Sequence, residues 1–164
     1  MFFLYLLRMN AENAKAYRSM KSEGDPPCPV LGDAATKLGI RPRDLAPDAD
    51  GNAIPGIGGV SVFSSIAGIA RRFKLGFPPD MVPERLHHTG KVVGATGPTS
   101  LRVFRLGNGK YEAGQIASCL KLIPDGDDNL DHGTIQPEGV MIFDDYRQAI
   151  VNTQSHWLDG ENDE

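Results

Sequence analysis

Apolar positions along the chain come in short bursts broken by glycine and proline, which predicts many brief elements and few long ones. The opening MFFLYLL is an apolar run ending at Arg8 and reads as a buried first strand. After it, Asn10 as a cap, Glu12 in the first turn and Ala14, Tyr17 and Met20 at helical spacing predict a short amphipathic helix that stops at Gly24. DPPCPV breaks the chain, and Asp33 then caps a brief helix through Leu38 that stops at Gly39. Residues 41–59 are dominated by Pro, Gly and Asp and read as an irregular surface segment.

GVSVF follows as a buried strand, and Ser64 or Ser65 caps a helix with Ile66, Ile69, Ala70 and Phe73 on one face. FPPDMVPERLHH is another interrupted segment. The alternation from Leu101 to Leu106, with Asn108-Gly109 as a hairpin signal, predicts antiparallel strands through to KLIP. GTIQP is a short strand, and MIFDDYRQAIVNTQSHW is a helix whose face carries Ile142, Tyr146, Ala149, Ile150, Thr153 and Trp157. Asp144 and Asp145 fall on its exposed side. This organisation is one domain over 1–158 with a frayed acidic tail over 159–164.

Composition narrows the function classes. A net charge of -4 gives no concentrated basic surface, so direct nucleic-acid binding is not expected. Arg71, Arg72 and Lys74 read as a solvated helix end, with binding of an anionic small molecule as the alternative. Cys28 and Cys119 are far apart, belong to no metal-ligand pattern, and read as unpaired thiols in a reducing compartment. MFFLYLL is too short to span a bilayer and lacks the flanks of a signal peptide, so no membrane association is expected.

Several chemistries lose support on local grounds. Gly56, Gly58 and Gly59 precede a strand, whereas a phosphate cradle needs its glycines between strand and helix, and no Walker lysine follows. The DGDDN turn lacks the closing glutamate of a calcium loop, so no metal is expected. No GxSxG elbow surrounds a serine. His87 and His88 are adjacent and point apart, while His132 introduces a strand directly after an acidic loop.

Three segments in order, FLYLLRMN, GGVSVFSS and HGTIQPEGVM with its following helix, resemble type VI secretion effector toxins of the ADP-ribosyltransferase-like kind. The resemblance implies a mixed α/β, that is α+β, fold: a split, mainly antiparallel sheet with flanking short helices, opening into a cleft for NAD as substrate. It implies that Arg8 anchors the dinucleotide phosphates, that Ser61 supports the nicotinamide ribose, and that Phe63 stacks beside it. His132 matches the third segment, with Glu138, six residues on, as the nearest carboxylate after it in place of the usual glutamate motif. Catalytic roles then fall to Arg8, Ser61, His132 and Glu138, and NAD contacts to Arg8, Gly59, Ser61, Phe63 and His132. Residues 85–131 have no counterpart, and their hairpin reads as an insertion.

The same resemblance implies an effector held inactive in the cytoplasm of the producing cell by a cognate immunity protein. Secretion machinery then delivers it to the target-cell cytoplasm, where it acts on an unidentified acceptor or on NAD itself. The alternative reading is a non-enzymatic protein-binding module that uses the Gly/Pro-rich loops as its recognition surface.

Overall fold

The computed structural model describes residues 14–74, 80 and 101–163. The MFFLYLL strand with Arg8, the His87-His88 pair and all of the 77–88 segment except Asp80 lie outside these residues. Within them the chain is a mixed α+β fold with a mostly antiparallel, curled sheet and two short helices.

The first described strand overturns a predicted helix. Residues Ala16–Glu23 form β1 and pair antiparallel with β5 (Leu101–Leu106) from Ala16↔Leu106 to Lys21↔Leu101. Three-residue spacing of Ala14, Tyr17 and Met20 suggested one helical face, but β1 is covered on both sides. Ala16 and Met20 enter the larger core while Tyr17 enters a smaller one across the sheet. A strand buried on both faces shows no amphipathic alternation, so its period is easily misread.

Five further strands complete the main path. β4 (Val60–Phe63) pairs with β8 (His132–Pro137), which pairs with β7 (Leu120–Pro124), which pairs with β6 (Gly114–Ala117). β10 (Leu158–Asp159) lies on the far side of β5, giving the order β10-β5-β1-β4-β8-β7-β6, with β2 (Cys28–Pro29) also on β1. β3 (Asn52–Ala53) and β9 (Met141–Ile142) make a separate two-stranded pair.

Helix α1 (Ile66–Lys74) begins as predicted: the Ser65 hydroxyl accepts the Gly68 N–H at 3.0 Å, satisfying one of the donors left free at a helix start. Its Ile69 packs with Tyr17 and Val103 to form the smaller core. Helix α2 (Phe143–Asn152) seats Tyr146 and Ile150 on the larger core with Val62, Phe104, Leu122 and Ile135, and Asp144 and Asp145 face outward.

α2 is shorter at both ends than its hydrophobic pattern suggested. Ile142 belongs to β9 and is exposed, while Trp157 is reached through a 3-10 turn over Gln154–His156, its indole N–H donating to the buried Thr153 hydroxyl.

Four other expectations change. No helix forms over 33–38, where turns and the Leu31↔Leu38 bridge take its place. Within 41–59, Leu45 and Ala53 are core residues, so the segment is irregular but not wholly superficial. Asn108-Gly109 joins no hairpin, because β5 pairs with β1 and β10 instead of β6; the tight turn falls at Ser118-Cys119, with Cys119 at φ 64. The described part of the presumed insertion is integral, since β5, β7 and β6 are sheet members.

The tail is held down as well. Asp159 pairs with Arg102 at 2.7 Å, and Asp163 accepts from Arg105 at 2.6 Å and from the Tyr17 hydroxyl at 3.0 Å. Both cysteines are free thiols. Among the described residues no helix is long and apolar enough to cross a membrane.

Candidate functional site

The sheet parts between β1 and β4, which share one register pair, Tyr17↔Phe63. Beyond that pair the strands diverge around the Arg18 guanidinium. This side chain is 6% exposed and donates to Ser61 O at 2.6 Å, Ala35 O at 3.0 Å and Lys37 O at 3.1 Å. Arg18 thus joins β4 to the 35–37 loop across the parting. Burial lowers its pKa to about 10, with Asp44 opposing that fall and Arg41 adding to it.

A cleft of about 280 Å³ opens at this parting, lined by Arg18, Arg41, Ser61, Phe63, Ile69 and Leu101 among others. Its volume sits near the lower end of the ~300–1,000 Å³ usual for small-molecule pockets. Arg41 meets Asp44 in a bidentate pair at 2.9 and 3.0 Å. Burial pushes the Asp44 carboxyl up, but the bonds from Arg41, then its charge and that of Arg18, outweigh it and hold the group below its ordinary range. A larger hollow, about 440 Å³, lies between the β6–β7 turn and α2, and its lining includes none of the predicted site residues.

Beside the cleft, strand register brings three polar side chains into line. Phe63↔His132 and Ser61↔Thr134 are opposite pairs on β4 and β8, so Ser61, Phe63 and His132 share a face. The Ser61 hydroxyl lies 2.6 Å from His132 Nε2 although 71 residues separate them. On the other side of the ring, Nδ1 lies 2.5 Å from the Asp125 carboxylate. Pro124↔Gly133 is the last β7–β8 pair, and the next position along puts Asp125 across from His132, where its N–H donates to His132 O at 2.9 Å. Phe63 meets the imidazole edge-on, with ring centroids 5.3 Å apart.

Neighbouring groups hold this end of β8 in place. Asp131 is clasped by Arg71 of α1 at 2.5 and 2.8 Å; Arg71's hydrogen bond outweighs the opposing effect of burial and, with a smaller contribution from its charge, keeps that carboxyl below its ordinary range. Tyr111 lies behind Gly133, where an added Cβ would come within 2.5 Å of the phenol oxygen. Burial, then the charges of Asp125 and Asp131, push the Tyr111 phenol up.

Of the predicted site residues, Ser61, Phe63 and His132 are brought together. Arg8 lies outside the described residues. Glu138 does not join them: it is exposed just past the opposite end of β8, roughly 20 Å along the strand at ~3.3 Å per residue. Gly59 has a packing role, because a Cβ there would stand 2.2 Å from Ile135 O on β8. It lets β4 start flush against its neighbour.

Sequence reasoning missed Arg18 and Asp125. Asp125 sits in a turn that reads as solvated acid. Its signal was the β7–β8 hairpin, which requires the residue after KLIP to face the one before GTIQP. Among the described residues no group of three or more His, Cys, Asp or Glu is placed to hold a metal ion. No family model, curated protein or solved structure matches the chain.

Proposed function

We propose that the chain is an NAD-consuming effector toxin of the ADP-ribosyltransferase-like kind, acting in the target-cell cytoplasm and neutralised by a cognate immunity protein. The observation that carries this reading is the parted sheet: a cleft at the β1–β4 divergence with Ser61 and Phe63 at its wall and His132 behind Ser61. Its volume suits the nicotinamide and ribose portion of NAD, with the rest of the dinucleotide extending outward.

Cleaving the bond from nicotinamide to ribose builds positive charge at the anomeric carbon, so oriented polar groups at the ribose lower the barrier. Ser61 bonds a ribose hydroxyl, Phe63 offers an aromatic face or edge to the nicotinamide, and His132 orients the Ser61 hydroxyl. Asp125 supplies through His132 the carboxylate that the resemblance looks for on the third segment. Arg18 brings positive charge to the cleft wall for the pyrophosphate, a role the resemblance implies for Arg8. Transfer to an acceptor and hydrolysis both fit this geometry.

The test is nicotinamide release from NAD by folded protein, with and without target-cell extract as acceptor. Release by wild type and its loss in Ser61→Ala are expected, together with growth arrest on cytoplasmic expression. No release by folded wild type under either condition overturns the reading.

One observation favours the second reading, a non-enzymatic protein-binding module. Ile57 in the Gly/Pro-rich loop is 68% exposed, and Ile142, on the strand that pairs with β3 of the same segment, is 58% exposed. Binding of a partner that Ile57→Asp abolishes, in a protein that releases no nicotinamide, would select that module.

A further inference from the structure

We infer that Ser61 is a base-activated nucleophile, and that the Asp125–His132–Ser61 relay gives the cleft an acyl-transfer activity toward small carboxylic esters. The argument begins with proton placement. An ionised carboxylate only accepts hydrogen bonds, so Asp125 beside Nδ1 requires the proton of a neutral His132 to sit on Nδ1. Nε2 is then the free acceptor, and among the described residues its hydrogen-bond partner is the Ser61 hydroxyl, 2.6 Å away, which has a proton to give. This is the arrangement in which a histidine takes a serine proton during attack and a carboxylate fixes its tautomer and stabilises the imidazolium.

In sequence the serine comes first, and the acid and base follow at the end of one strand and the start of the next. Such relays are defined by geometry and recur in unrelated folds. Here three paired strands make the geometry: β4 carries Ser61, β8 carries His132, and the end of β7 delivers Asp125. The Phe63 ring edge limits imidazole rotation from one side.

Attack by Oγ on an ester carbonyl forms the Oγ–C bond while the hydroxyl proton passes to Nε2. The C–O bond to the alcohol then breaks, and the leaving oxygen takes that proton. Water repeats the sequence on the acyl-enzyme, which releases the acid and returns the proton to Oγ. The ester enters by the cleft that Ser61 lines, whose volume of about 280 Å³ and apolar Ile69 and Leu101 wall suit a short acyl chain. Asp125 touches no substrate; it is a positioning residue acting through His132. The inference needs no NAD and does not rest on the NAD reading.

The experiment treats the full chain with a fluorophosphonate probe, with mass mapping of the labelled peptide and p-nitrophenyl acetate as a companion substrate. Expected are stoichiometric labelling at Ser61, labelling slowed roughly 100-fold or more in His132→Ala, and at least roughly tenfold slowing in Asp125→Asn. Asp125→Glu should restore part of the rate, and each variant should keep the wild-type circular dichroism spectrum. Should a histidine variant fail to fold, Asp125→Asn, at a half-exposed turn, carries the test alone. Absence of label on Ser61 in folded wild type, or an unchanged labelling rate in folded Asp125→Asn, overturns the inference.

Discussion

Replacing Arg18 by methionine tests whether the parted sheet depends on a buried guanidinium. The side chain makes three bonds to carbonyl oxygens, at 2.6, 3.0 and 3.1 Å, from β4 and the 35–37 loop. Hydrogen bonds from a charged donor are worth ~1.5–3 kcal/mol each. Against them stands burial of the charge. A fall in pKa from the ordinary arginine value to about 10 converts, at ~1.4 kcal/mol per pH unit, to a cost of roughly 3 kcal/mol.

Methionine fills similar space but leaves all three carbonyls without that donor, so a net loss of roughly 2–5 kcal/mol is expected. The pH sign follows from the depressed value. The unfolded chain holds this proton more tightly, so the burial penalty is fully present below about pH 10 and is relieved as pH rises above it. Urea denaturation near pH 7, read as a midpoint shift at constant slope, measures the loss. A stability change within about 0.5 kcal/mol of wild type would show that water or loop movement satisfies those carbonyls equally well, and would refute the strut argument.

Gly59→Ala should destabilise by several kcal/mol, on the order of the cost of overpacking against backbone, because its Cβ meets Ile135 O; Gly56→Ala, with open space around it but φ +90, should cost only about 1 kcal/mol. Thermal melts of the pair separate a packing glycine from a turn glycine, and equal losses would contradict the assignment. Arg71→Ala should raise the Asp131 pKa measured by carboxyl NMR titration while costing under about 1 kcal/mol, since Arg71 is largely exposed. Because Asp131 is held low in the fold, its contribution is present above the unfolded carboxylate pKa and fades as pH falls through the folded value, so an unmoved titration in the variant would remove Arg71 as the cause.

The parts of the fold legible from sequence are those where local pattern and tertiary setting agree. VSVF alternates because one face of β4 meets the core and the other the cleft side, and Ser65 caps α1 by a bond made within its own turn. β1 differs for the opposite reason: Ala14, Lys15, Ala16, Met20 and Lys21 favour a helix locally, while burial between two cores selects a strand. The site divides in the same way. Ser61, Phe63 and His132 were nominated through their segments, but what joins them is register across 71 positions. Arg18 was hidden because nothing local distinguishes a buried arginine that braces carbonyls from a solvated one. Glu138 was chosen for proximity in sequence, and strand geometry carries it away from His132.

The bounding strands of the sheet decide how this chain can meet another. Among the described residues, the main path ends in the two-residue β10, with Asp159 on it, and in the four-residue β6, whose pairing slips between Gln115 and Ala117. Brief, charged or bulged borders give an incoming strand little to zip onto, which is how natural sheets guard against runaway stacking. At these two borders ladder extension is therefore disfavoured, and contact through side chains on the faces and loops of the described sheet is the easier route to association.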